Sequence, residues 1–179
     1  MKKLVIILLI ITIFVGCSMS NTPTSKVEDY LSNYNSLSDS VIIDIENKIS
    51  HEDLSSQNKE LYNLVLRRAY QNMKYEIKDE SIDGDNANVT VKITVYDFYK
   101  VEKESLNYMN DNTNEFYDET GLFSNDLYNK YRLGEMLKTN DKVNYEMTFK
   151  LYKKENTWYL ENPSEEMLEK LNGLYNYDK

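Results

Sequence analysis

The sequence predicts an α+β domain in which N-terminal helices pack on an antiparallel sheet. Three observations carry this. Apolar residues recur at helical spacing as far as residue 72. Beyond it they alternate with polar residues in two separate pairs of segments, as in half-buried strands. Between those pairs, and again at the end of the chain, the helical spacing returns. Helices segregated from antiparallel strands define the α+β class.

The first helix is expected near Ser25, where Ser25 and Glu28 have the spacing of a capping box. Val27, Tyr30, Leu31 and Tyr34 follow on one face. A second helix runs from about Ser40 to Ile49, with Val41, Ile42, Ile45 and Ile49 aligned. The third, about Ser56 to Asn72, has the broadest apolar stripe: Leu61, Tyr62, Val65, Leu66, Ala69 and Tyr70, continued by Met73. Lys59, Glu60, Arg67 and Arg68 are expected to face water.

Strand alternation begins at Met73, Tyr75 and Ile77. Its clearest stretch is Ala87, Val89, Val91, Ile93 and Val95. Apolar faces must meet across a hairpin, so the parity of the register is fixed. A three-residue loop Ile82-Asp83-Gly84, with Gly84 left-handed, opposes Ile77 to Val89 and Tyr75 to Val91. The second hairpin pairs Val143, Tyr145, Met147, Phe149 and Leu151 with Trp158 and Leu160. A four-residue loop, Lys153 to Asn156, sets Leu151 against Trp158.

Between the hairpins lies a helical insert. Val101 to Met109 reads as helix, Asn110 to Gly121 as polar loop, and Ser124 caps a helix through Leu137 carrying Leu127, Tyr128, Tyr131 and Leu133. The insert is expected to cover the open face or edge of the sheet. Pro163 is expected at the first position of a short C-terminal helix, with Met167, Leu168 and Leu171 buried and Gly173 as its stop.

Lys2-Lys3, the apolar run Leu4 to Phe14, and Gly16 before the single cysteine, Cys17, have the layout of an export signal. The run is short of the roughly 20 residues that cross a bilayer. It resembles a bacterial lipobox, with Gly16 in place and Phe14 where leucine is usual. That resemblance implies a signal peptide over residues 1–16, a diacylglyceryl (palmitate-type) group on Cys17, and a tether over 17–24 leading into one domain, 25–179. Two acyl chains suffice to hold a soluble domain, where one gives marginal binding. The alternative is an ordinary cleaved signal followed by an incidental cysteine. The seven residues Ser18 to Thr24 span at most about 25 Å, so the domain is expected close to the membrane.

The chain carries 21 basic and 30 acidic side chains, a net charge of −9. Losing Lys2 and Lys3 with the signal brings it near −11. Such a charge repels phosphate backbones, which argues against nucleic acid as a partner. The 16 tyrosines admit two readings, an aromatic sugar- or peptide-binding surface or the codon bias of an AT-rich genome; their even spread favours the second.

Tyr70-Gln-Asn-Met-Lys-Tyr-Glu-Ile-Lys78, Ile82-Asp-Gly-Asp85, Val89-Thr-Val-Lys-Ile-Thr-Val-Tyr-Asp97, Trp158-Tyr-Leu160 and Gly173-Leu-Tyr-Asn176 resemble segments of uncharacterised lipoproteins of low-GC Gram-positive bacteria. Those domains are similar to the NTF2-like or cystatin-like fold. The resemblance implies helices in the concave side of a curved antiparallel sheet, together with anchoring at the cell membrane. It implies no activity.

Chemistry is sparse. His51, the lone histidine, stands beside Glu52 and Asp53 in a polar stretch and reads as a solvated loop residue. One histidine and one lipidated cysteine do not make a zinc site. Asp79 to Thr90 imitates a calcium loop but has Ser81 at position three and Thr90 at position twelve, so a hairpin turn explains it better. Asp111, Asn112, Asn114 and Asp118 read as a solvated loop with at most weak calcium affinity. No phosphate-cradling glycine loop, G-x-S-x-G or H-E-x-x-H occurs. Tyr96, Asp97 and Tyr99, at the end of the best strand, are the candidate pocket residues, with Asp97 either catalytic or simply the cap of the next helix.

The expectation is therefore a non-enzymatic extracytoplasmic lipoprotein, without cofactor or metal, that binds an envelope protein or small ligand. The alternatives are an NTF2-like pocket that binds or transforms a small apolar molecule, and a mainly structural envelope module.

Overall fold

A computed structural model describes residues 21–178. The signal segment, Cys17 and most of the tether lie outside them. The described chain is α+β, six helices and one open four-stranded antiparallel sheet in the order β1-β2-β3-β4.

Helix α1 (Pro23–Ser36) begins earlier than expected. Thr22 is its N-cap, and the capping box joins Thr22 to Ser25, not Ser25 to Glu28. Pro23 explains the shift, since its fixed φ and missing N–H suit the first helical position. The Glu80 carboxylate accepts from Thr24 N at 2.9 Å, placing negative charge at the positive end of α1. Leu37, left-handed at φ 52°, turns the chain into α2 (Asp39–Ser50). Helix α3 (Ser56–Gln71) follows the expected stripe, capped by Ser55.

Strands β1 (Lys74–Asp83) and β2 (Asn86–Tyr96) join through Gly84-Asp85, with Gly84 at φ 58°. The expected parity holds but the register differs: Ile77 opposes Val91 and Tyr75 opposes Ile93. The turn is tighter by one residue and lies further along the chain. A bulge at Lys78 restores the match of apolar faces, because pairing resumes at Asp79 opposite Thr90. Strand β3 (Lys142–Lys154) likewise meets β4 (Thr157–Leu160) two residues from the expected position, Leu151 opposing Leu160. The turn is Glu155-Asn156 alone, both left-handed at φ 51° and 64°, which suits the twist of a two-residue hairpin. On the exposed edge of β4, Trp158 N–H donates to Asn21 Oδ1 at 3.1 Å, and Asn21 Nδ2 donates to the Asn156 carbonyl at 2.6 Å.

One face of the sheet carries Val89, Val91, Ile93, Tyr145, Met147, Phe149, Leu151 and Trp158, all buried under Val27 and Leu31 of α1. The other face stays polar, with Thr90 hydrogen-bonded to Thr148 and Thr94 donating to Asn144.

Helix α4 (Phe98–Asp111) starts three residues before the expected Val101 because Asp97 caps it. A short 3-10 turn, Thr113–Phe116, interrupts the expected loop and buries Phe116. Helix α5 (Asn125–Lys138) is capped by Ser124 as expected, although Leu127 is exposed and Leu133 and Met136 carry the burial. The insert does not cover the sheet; it packs on α3 and builds a second core from α2 to α5 with Tyr96 and Phe98. Polar side chains fix that packing. Buried Asn58 donates to the backbone and carboxylate of Asp126, at 2.9 and 2.7 Å. Arg68 donates to the carbonyls of Met136 and Thr139 at the far end of α5. The two helices therefore run in the same direction, and Arg68 is half-buried, not water-facing as expected.

Helix α6 is Glu165–Leu171, capped by Ser164; Pro163 lies just outside it and Leu168 is exposed. Gly173, at φ 70°, ends it and passes so close to the Tyr96 carbonyl that a Cβ there would collide. The tail beyond it runs along α4.

Candidate functional site

Helix α2 presents Val41, Ile45 and Ile49 to the helical core. Lys48 stands beside that stripe, so its stem is carried inward with it. Two cavities flank it, and Lys48 lines both.

The first has a volume of about 260 Å³. Its apolar wall comes from α3 (Val65, Leu66), α4 (Phe98), α5 (Leu133, Met136) and Leu174 of the tail. Its polar groups are Lys48, Glu52, Tyr62, Glu102 and Arg132. Arg132 Nη1 pairs with Glu102 Oε1 at 2.7 Å and Nη2 donates to Asn129 Oδ1 at 3.2 Å. Its Nε–H is buried without a partner. A buried donor left unpaired costs about 1–3 kcal/mol, so it is a place where a bound acceptor is rewarded. Burial, reinforced by the Glu52 charge, pushes the Tyr62 hydroxyl up to about 12.

The second, about 340 Å³, is lined by Tyr34, Val41, Asp44, Ile45, Tyr70, Leu168 and Asn172 besides Lys48. Its tyrosines are held firmly. Tyr70 donates to Asn172 Oδ1 at 2.7 Å, its ring meets that of Tyr34 edge-on at 4.9 Å, and the Tyr34 hydroxyl bonds to that of Tyr30 at 3.1 Å. Burial raises the pKa of all three.

Lys48 makes no ion pair or hydrogen bond with another described residue. Burial draws its ammonium below the ordinary lysine range, and the Glu52 charge, one turn on, only partly opposes this. A half-buried cation without a counter-ion, between two cavities with apolar walls, can hold the anionic head of a small molecule whose body lies against those walls.

The structure brings Tyr96, Asp97 and Tyr99 together at the β2–α4 junction, where each is engaged. Asp97 Oδ1 accepts from Lys100 N at 3.0 Å, as the cap of α4, and Oδ2 accepts from the Tyr177 hydroxyl at 2.9 Å. The Tyr96 ring carries the Arg68 guanidinium at 3.9 Å and the Lys142 ammonium at 3.2 Å from its centroid. Tyr99 donates to Asp178 at 3.1 Å. Their neighbour Phe98 is the residue that reaches the first cavity.

His51 is exposed, with Nδ1 2.7 Å from the Asn47 carbonyl, so that nitrogen carries the proton. Asp79 and Thr90 face each other across the first hairpin. Asp118 Oδ1 accepts from Thr120 N, Thr120 Oγ1 and Leu122 N, closing its own loop. Among the described residues no three or more His, Cys, Asp or Glu side chains gather where they could hold a metal ion. No described helix is long and apolar enough to cross a membrane.

Sequence reasoning assigned no site role to Lys48, Glu52, Tyr62, Glu102 or Arg132: Lys48, Glu102 and Arg132 sit among the many charged residues of ordinary helices, Glu52 follows α2 in a polar stretch, and Tyr62 reads as part of the α3 stripe. The one available signal was Lys48 directly before Ile49, at the rim of the α2 stripe. No protein family, curated protein or solved structure matches this chain.

Proposed function

We propose that this protein is a lipid-anchored extracytoplasmic binding domain that holds a small ligand in the cleft around Lys48 and does no chemistry on it. The observation that carries the binding role is the unpaired Lys48 on a wall common to two apolar-sided cavities. The lipobox-like sequence ending in Cys17 supports the anchor. The NTF2-like or cystatin-like assignment belongs to the same reading, supported by α1 lying across the apolar face of a four-stranded antiparallel meander. A small ligand is favoured over an envelope protein because the polar groups converge on concave clefts of small volume.

Two measurements test this. Cells grown with a clickable fatty acid should label the native protein and fail to label Cys17→Ser; equal labelling removes the anchor. Saturation-transfer NMR of the full-length protein in detergent, against an envelope extract, should show small-molecule signals that weaken with Lys48→Met. Signals indifferent to that change, or none, remove the cleft.

A further inference from the structure

We infer that the 260 Å³ cavity beside Lys48 takes an apolar α-amino acid as its zwitterion. This rests on the reading of the cleft just given and narrows it to one ligand class.

Charge sets the class. The cavity is lined by two cations, Lys48 and Arg132, and two carboxylates, Glu52 and Glu102. Arg132 and Glu102 are spent on each other at 2.7 Å. Lys48 and Glu52, four residues apart, are within electrostatic reach yet form no ion pair. Burial falls on Lys48, which an anionic group answers, while Glu52 stands exposed beside it and repels a lone anion. A ligand with a carboxylate and an ammonium on one carbon answers Lys48 and Glu52 together.

Hydrogen bonding adds polarity to the assignment. The ligand carboxylate has a second donor in the buried Arg132 Nε–H, which no described group accepts from. The Tyr62 hydroxyl stands on the same wall. The carboxylate therefore belongs between Lys48 and Arg132, and the ammonium towards Glu52. The rest of the wall, Leu66, Phe98, Leu133 and Met136 among it, offers only contact and suits an apolar side chain. At about 30 Å³ per water the cleft holds roughly nine waters, room enough for a molecule of leucine's size.

The test is calorimetry on the full-length protein in detergent with leucine, isocaproate (leucine without its amine) and isoamylamine (leucine without its carboxylate). Leucine is expected to bind at least tenfold more tightly than either analogue. Lys48→Met is expected to weaken leucine tenfold or more, and Arg132→Lys, which keeps the charge but lacks Nε–H, to weaken it about tenfold while leaving the melting temperature near wild type. Isocaproate binding as well as leucine overturns the amino-acid assignment and leaves the cleft standing as a carboxylate site. No binding of any of the three, with the envelope-extract signals still dependent on Lys48, overturns it equally; no dependence on Lys48 anywhere removes cleft and assignment together.

Discussion

The Tyr177 hydroxyl donates to the Asp97 carboxylate at 2.9 Å, while the other oxygen of Asp97 caps α4 at Lys100 N. One side chain thus joins the end of the central strand, the start of a helix and the tail. Loss of solvent, and then the neighbouring Asp97 carboxylate, pushes the Tyr177 hydroxyl up to about 12.

Asp97→Ala removes both bonds. Loss of a helix cap costs about 0.5–2 kcal/mol, so its urea midpoint should fall accordingly. Asp97→Asn keeps an acceptor for Lys100 and should lose less than half as much. Equal stability of Asp97→Ala and wild type would rule out the cap as a structural element.

Gly173 and Gly134 form an internal control. Gly173→Ala places a Cβ against the Tyr96 carbonyl at a left-handed φ of 70°, and should cost more than about 2 kcal/mol. Gly134 lies inside α5 with open space where a Cβ would stand. Gly134→Ala should stabilise by roughly 0.5–1 kcal/mol. Thermal unfolding of the two variants should move in opposite directions.

Lys142 is brought down from 10.5 to about 8 by burial and then by Arg68 and Lys74. Its folded pKa lies below its unfolded one, so between about pH 8 and 10 the unfolded chain binds a proton that the folded chain has released. Stability should rise with pH across that window. Lys48 acts with the same sign. Tyr30, Tyr62 and Tyr70, raised above their ordinary 10.0, act oppositely: the unfolded chain ionises first, and stability should fall above pH 10. Urea titrations across pH 7–11 should show the maximum, and Lys142→Met should remove most of the rise but not the fall.

Lys78 is the extra residue of the β1 bulge, so deleting it leaves Ile77 opposite Val91 and Asp79 opposite Thr90 in a regular ladder. The deletion should cost less than about 1 kcal/mol. Deleting Glu76 instead moves Tyr75 to the polar face and should cost more than about 2 kcal/mol. Denaturation of the two deletion variants by urea decides between them.

How far the sequence could be read follows from what its periodicities encode. Period two fixes which face of a strand is apolar, and both hairpins have the expected parity; it leaves sliding by two residues free, and both slid. The bulge at Lys78 and the left-handed pair Glu155-Asn156 have no distinctive composition, the latter lacking the glycine that usually marks such a turn. Helical spacing likewise shows that the segment ending at Leu137 has an apolar side without naming what covers it. Asn58 and Arg68, which tie α5 to α3, read as ordinary surface residues of a long helix. The cleft was illegible for the same reason, since Lys48, Glu52 and Arg132 gain meaning only when four helices and the tail bring them to one volume.

Asn21 grips both the turn and the outer edge of the β3–β4 hairpin. A displacement of Asn21 is therefore felt by the four-residue β4 as well as by the start of α1. The shortest strand is thereby coupled through one side chain to the segment that leads into α1.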